Sequence, residues 1–319
     1  MKETSFIAAR SVTEASHLLQ ERPQSVLMAG GTDLLVLKKL KLIRPQAIVT
    51  LRSIPSLSTI RPEKEGGVAI GALATLSEVA IDPLVRERVP LLARAAAAVA
   101  SPQIRNKATL GGNLCLNSRC WFFNRSPFWR AEFPRCRKAS GADQCYVVPK
   151  SHKGCFALQS GDTAGPLVAL GAKLRLVSAS GERVADIDDF YLGDGIRYLG
   201  LKAGEIVTEI LLPPPGAAGA FVKFRPQDNL DFATFTLAVI PSAGGTGARI
   251  VVGCAASRPL RAHAAEKMLD AGLPAEEVAR KTAEEVRLVS FVRGPVDFKR
   301  QVIAAKMADV LAGLTGQPQ

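Results

Sequence analysis

Two Gly-Gly turns constrain this chain more than any other feature. One is Leu27-Met28-Ala29-Gly30-Gly31-Thr32-Asp33-Leu34, the other Ala108-Thr109-Leu110-Gly111-Gly112-Asn113. In the first, the apolar run Val26 to Ala29 reads as a buried strand entering a tight turn, followed by a helix over 34–41 and a strand over 47–51. Paired glycines let a backbone approach a ligand closely. Successive N–H groups at such a turn, with the helix start behind them, can cradle a diphosphate. Neither turn is a G-x-G-x-x-G fingerprint or a Walker A loop. One strand–GG–helix turn is most often only a turn. Two in one chain, joined by Ser160-Gly161-Asp162-Thr163 ahead of an apolar run, point to a ligand. An aspartate so placed either caps the next helix or accepts hydrogen bonds from a ribose or base.

Around these turns helical and strand-like patterns alternate. Ser11-Val12-Thr13-Glu14 and Thr75-Leu76-Ser77-Glu78 have the S/T-x-x-E form of a capping box. Residues 67–71 read as a strand, 90–100 as an alanine-rich helix, and 173–186 as a hairpin turning at Ser180-Gly181. A strand over 205–212 ends at Pro213-Pro214-Pro215, the best candidate boundary. Beyond it, strands over 220–224, 232–240 and 248–255 precede helices over 259–271, 275–289 and 296–313. The expected fold is α+β: a βαβ-like unit over 1–55, a second α/β region over 56–215, and an α+β domain over 216–319.

The formal net charge of +12 suits an acidic partner, either nucleic acid or protein, or simply a solvated basic surface. No lysine-rich tail or helix-turn-helix pattern concentrates the charge, which weakens the nucleic-acid option. The first residues lack the apolar core of a signal peptide, and no stretch approaches eighteen apolar residues. The expectation is a cytoplasmic protein without a membrane partner, in a reducing compartment.

Four of the six cysteines, Cys120, Cys136, Cys145 and Cys155, fall in one segment with both tryptophans. The intervals are 15, 8 and 9 residues, without a C-x-x-C knuckle. Zinc sites usually take ligands in close pairs from one tight turn. A cubane cluster can instead be wrapped by a longer loop carrying four cysteines. Such a loop needs apolar side chains to exclude water, here Trp121, Phe122, Phe123, Phe128, Trp129 and Phe133, and backbone donors for the sulfurs. Seven Lys/Arg residues stand in the segment against Glu132 and Asp143, and a cationic surround stabilises a negatively charged cluster. Zinc, in a basic nucleic-acid module, and plain buried thiols stay open on spacing alone. Cys115 is near enough to compete as a ligand, Cys254 reads as core, and His152 lacks a partner that would make it catalytic.

The strings AGGTDLL (29–35), IRNKATLGGNL (104–114), GDTAGPLVALGAKL (161–174) and EIVTEILLPPP (205–215) closely resemble the FAD-binding subunit of the molybdenum hydroxylases. The resemblance runs in order through essentially the whole chain. It implies a PCMH-type FAD-binding fold of two α/β subdomains and a C-terminal domain like that of carbon monoxide dehydrogenase flavoproteins. It also implies FAD between the first two, with Leu27, Met28, Ala29, Gly30, Gly31, Thr32, Asp33 and Leu34 holding its diphosphate. Ala108, Thr109, Leu110, Gly111 and Gly112 would line the second wall. Asp162 would lie near the adenosine end, and Lys223 would reach the flavin region. The cysteine segment and DFYLGDGIRYL (189–199) resemble the β subunits of 4-hydroxybenzoyl-CoA reductases. That implies a [4Fe–4S] cluster on Cys120, Cys136, Cys145 and Cys155 within an insertion at about 115–160. It further implies a molybdopterin-bearing large subunit, a [2Fe–2S] small subunit, ferredoxin as electron donor and substrate chemistry outside this chain. A related molybdenum hydroxylase oxidising another aromatic or N-heterocyclic substrate is the alternative.

Overall fold

The computed structural model describes residues 4–141, 144–148, 151, 154–214, 216, 218–227, 230–245, 247–289 and 295–315. His152, Asp143 and Pro215, named above, lie outside the described residues. The strands form three sheets. The first joins β1 (Ser5–Ala8), β2 (Ser25–Met28) and β3 (Ala47–Thr50) in the order β1-β3-β2, all parallel. Parallel strands need crossovers, and the helices Val12–Glu21 and Leu34–Lys39 supply them, the first capped by Ser11 through Glu14 N–H at 3.0 Å. Glu14 turns its carboxylate to Arg10 N–H, so the reciprocal box forms only at Thr75–Glu78. β3 is central, and its Ala47, Ile48 and Val49 are buried. β2 was expected to be buried as well. It is an edge strand, half-buried along its length, which leaves one side facing a cleft.

The second sheet contains β4 (Ile60–Pro62), β5 (Val68–Gly71), β6 (Lys173–Ser178), β7 (Gly181–Asp186) and β8 (Ile206–Leu212), ordered β4-β5-β8-β6-β7. Every pairing is antiparallel, including the expected hairpin of β6 and β7, so the second region combines its helices with an antiparallel sheet. β4 carries Pro62 and sits at the sheet edge, where a missing N–H is tolerated. The long excursion between β5 and β6 carries the second glycine turn, the cysteine segment and the helix Ala164–Ala169.

The third sheet contains β9 (Ala220–Phe224), β10 (Phe235–Ile240), β11 (Arg249–Gly253) and β12 (Leu260–Arg261), antiparallel in the order β12-β11-β10-β9. Strand alternation divides β10 and β11 between two cores. Leu237, Val239, Ile250 and Val252 pack toward the helices His263–Asp270, Ala275–Glu285 and Val296–Thr315, while Ala238 and Val251 join Leu167 and the second sheet. Only small groups separate this sheet from the helix Ala164–Ala169. A Cβ on Gly165 would meet Thr236 Oγ1 at 3.5 Å and the Gly253 Cα at 3.8 Å. That close packing sets Asp162, just ahead of the helix, against β9. No helix among the described residues is long and apolar enough to cross a membrane.

Candidate functional site

The first two sheets flank a cleft of about 810 Å³ that also reaches β9 and the cysteine segment. Both glycine turns line it, and they touch each other. A side chain on Gly30 would overlap the Lys107 carbonyl and the Ala108 backbone, and one on Gly111 would overlap Ala72. Gly31 holds φ +74°, where a Cβ is strained. Among the described residues, the N–H groups of Gly30, Gly31, Thr32 and Asp33 have no internal acceptor. These residues are half-buried or, at Thr32, exposed along the cleft, so their free donors are open to an anionic ligand. Thr109 caps the helix Leu110–Leu114, its hydroxyl accepting from Gly112 N–H at 3.0 Å.

Of the residues named from the sequence, Leu27 to Leu34, Ala108, Thr109, Gly111, Gly112, Asp162 and Lys223 all line the cleft. Leu110 does not. Its side chain is wholly buried in the core against the second sheet, because capping at Thr109 turns it inward. Asp162 and Lys223, expected at different ends of a ligand, form one buried ion pair at 2.6 Å, each side chain about 5–6% exposed. Lys223 also donates to the Ala98 carbonyl at 3.1 Å. Burial pushes the Asp162 carboxyl up, with the Lys223 ammonium the main opposing influence. Asp33 makes no cap; it pairs with Arg119, whose guanidinium lies 4.3 Å from the Phe232 ring centroid.

Asn113 and Ser160 stand inside the two quoted turns, and the structure gives each a place that the turns alone do not assign. Asn113 Oδ1 accepts from Thr163 N–H at 3.2 Å and Thr163 Oγ at 2.7 Å, tying the second glycine turn to the 160–163 turn. Ser160 Oγ is buried at the cleft wall without a hydrogen-bond partner. The sequence signal for the first is its place directly after Gly111-Gly112, and for the second its place directly before Gly161-Asp162.

The cysteine segment is a lobe closed at its neck. Arg119 and Leu158 exchange both backbone hydrogen bonds, at 2.8 and 2.7 Å. Inside, Cys120, Cys136, Cys145 and Cys155 line one cavity of about 20 Å³, walled by Phe122, Phe123 and Phe156 among others. Phe122, 2% exposed, is the hub: it stacks on Tyr146 at 4.0 Å and meets Trp121, Trp129 and Phe133 edge-on. Phe128, expected to exclude water here, is 84% exposed and points to solvent. Backbone N–H groups reach the sulfurs: Ala139 at 3.4 Å from Cys136 Sγ, Phe122 and Phe123 at Cys120, and Ala157 at Cys155. Burial pushes the Cys120 thiol up, and Cys155 to about 11, with these donors opposing. The thiols surround the cavity without converging on a point. Among the described residues no three His, Cys, Asp or Glu side chains are grouped to hold a metal ion. The cavity has room for about one water, so a larger guest requires the thiols to move apart.

Cys115 stands apart. It lines the cleft, half-buried, and desolvation pushes its thiol up to about 12. Cys254 is buried, as expected of a core residue, with its Sγ 3.9 Å from Asp162 Oδ1. The loop Leu192 to Leu199 backs the lobe. Asp194 accepts from Cys155, Ile196 and Arg197 N–H at 2.7–2.9 Å, and a side chain on Gly195 would strike Cys155 Sγ and Ala157. Burial pushes Asp194 up, but these three N–H groups and Lys138 hold its carboxyl below the usual range.

Residues 2–215 match the family described as FAD binding domain in molybdopterin dehydrogenase. The chain is 31% identical to the aldehyde oxidoreductase FAD-binding subunit PaoB of Escherichia coli, over 86% of this chain and 88% of that one. Among solved structures it superposes on quinoline 2-oxidoreductase from Pseudomonas putida 86 with a TM-score of 0.78 at 25% identity, covering 98% of each chain. On carbon monoxide dehydrogenase from Hydrogenophaga pseudoflava lacking the Mo-pyranopterin moiety the TM-score is 0.76 at 27% identity, covering 97% and 96%.

Proposed function

This chain belongs to the family of FAD-binding domains of molybdopterin dehydrogenases, and from that premise we propose that it is an electron-transfer subunit holding two redox centres. FAD occupies the cleft, its diphosphate on the unpaired N–H groups of Gly30 to Asp33, as the glycine contacts and the acceptor-free amides suggest. Ala108, Thr109, Gly111 and Gly112 form the facing wall. The Asp162–Lys223 pair fixes the wall beside β9, and Arg119 with Asp33 ties the first glycine turn to the neck of the lobe. A [4Fe–4S] cluster sits on Cys120, Cys136, Cys145 and Cys155. The single observation carrying this part is that four thiols spread over the segment line one small cavity beside the cleft. An all-thiol donor set with backbone N–H groups aimed at the sulfurs fits iron–sulfur ligation. When bound, the two groups supply electron storage, while this chain binds, orients and shields them.

The chain works within a complex with a molybdopterin-bearing large subunit and a [2Fe–2S] small subunit, where the substrate reacts. The sequence spacing of the lobe favours a 4-hydroxybenzoyl-CoA reductase, with ferredoxin delivering electrons through the lobe. The named relatives favour a second reading, a hydroxylase that oxidises an aldehyde or N-heterocycle. Protein purified without oxygen is expected to show flavin bands over a broad absorption near roughly 400 nm from iron–sulfur charge transfer. A colourless, zinc-containing protein defeats the cluster. Cys136→Ser is expected to lose iron and keep FAD; unchanged iron rejects the ligand assignment. Assay of the complex with hydroxybenzoyl-CoA and a low-potential donor, against aldehyde or quinoline with an acceptor dye, separates the two substrate readings.

A further inference from the structure

Lys138 spans the partition between the cleft and the cysteine cavity. It follows Cys136 by two residues, lines the cavity, and turns its ammonium inward. Nζ donates to Asn117 Oδ1 at 2.9 Å, Ser118 Oγ at 2.6 Å and the Gly195 carbonyl at 2.7 Å. An ammonium has three donors, and all three are used. None of the acceptors is a carboxylate, so no ion-pair partner in direct contact cancels the charge. Nζ also lies 5.1 Å from the Phe123 ring centroid and 5.5 Å from that of Tyr198. Phe123 belongs to the cavity wall, whereas Asn117 and Tyr198 belong to the cleft wall. One cation therefore touches both compartments.

Burying a charge without a carboxylate partner is expensive, and the neighbouring charges show what recovers the expense. Lys138 lines the same cavity as Cys120, Cys136, Cys145 and Cys155, so any negative charge gathered on those sulfurs lies beside it. Asp194, which accepts from three backbone N–H groups including that of Cys155, backs the same cavity, so this cation faces its carboxylate together with the sulfurs.

We propose that Lys138 is a positioning residue that fixes the partition between the two redox sites and supplies the fixed positive charge that raises the reduction potential of the cluster. The inference rests on the cluster reading above. Each electron gained by a cluster adds one negative charge, and a nearby fixed cation stabilises that reduced form over the oxidised one. Its hydrogen bonds meanwhile clamp residues 117–118 to the Gly195 loop, holding the distance between the sites.

The test is a potentiometric titration of the purified complex with dithionite, following the cluster by electron paramagnetic resonance alongside iron and flavin content. Lys138→Gln keeps donors and removes the charge. It is expected to retain iron and FAD and to shift the cluster's equilibrium about tenfold toward the oxidised form, or about 59 mV lower for one electron. Lys138→Arg keeps the charge and is expected to restore most of that shift. A Lys138→Gln protein with full iron and an unchanged potential overturns the proposal, as does an equal shift in both variants, which marks a merely structural role. If the Gln variant fails to assemble, the Arg variant decides: a potential displaced as far as tenfold overturns the proposal. Wild-type protein without iron defeats the cluster reading itself, a failure visible before any variant is made.

Discussion

The cleft and the cysteine lobe are two neighbouring regions joined at Arg119, yet they are built from different material. The cleft is shaped by backbone. Its turns hang from sheets with buried centres at β3 and β5, and Gly30 and Gly111 sit where no side chain fits. Among its described residues the lobe contains no strand. It is held by short helices at Pro127–Arg130 and Arg137–Ser140, by the aromatic cluster around Phe122, and by the neck bridge. A backbone-built site keeps its shape through the cores beneath it. A side-chain-built site keeps its shape only while its side chains have something to pack on or bind.

Phe122→Ala removes the aromatic hub, and large-to-small core changes of this kind cost about 3–5 kcal/mol. It is expected to abolish iron retention and open the lobe to protease while the flavin content and the main melting transition hold. A common loss of both cofactors would show that the regions are one cooperative unit. Gly30→Ala attacks the other region. Its new methyl meets the Lys107 carbonyl, which a strand-anchored turn cannot easily move, at a cost of about 1–3 kcal/mol. Flavin content should fall at least tenfold with iron unchanged; full flavin occupancy would mean that the two turns are free to separate. Phe128→Ser is the smallest change. At 84% exposure it should alter stability by no more than about 0.5 kcal/mol and leave both cofactors in place. Lost iron in that variant would place Phe128 in the lobe's packing after all.

The same division explains what could be read from the sequence. Gly30, Gly31, Gly111 and Gly112 were legible because backbone requirements write themselves as glycine. Strands such as β3 and β10 were legible as short apolar runs, and the hairpin β6–β7 by its turn. The half-burial of β2 was not, since edge position depends on strand order. The antiparallel second sheet was likewise hidden, because β5 pairs with β8 across the whole excursion between them. Asp162 and Lys223 were singled out separately, but their pairing joins residues 61 apart through the contact of the helix Ala164–Ala169 with β10 and β11. Lys138 was one basic residue among seven, and Asp194 and Gly195 entered only as part of a similar string. Nothing local tells a clamping lysine from a solvated one; the distinction lies in acceptors contributed by residues 117, 118 and 195.

The Arg119–Leu158 bridge carries a thermodynamic meaning of its own. It brings the ends of the lobe together, and closing a loop of this length costs on the order of 3 kcal/mol of chain entropy. A guest bound across Cys120, Cys136, Cys145 and Cys155 adds three further cross-links inside that loop. Its binding free energy is then also the folding free energy of the lobe, and occupancy and order rise and fall together.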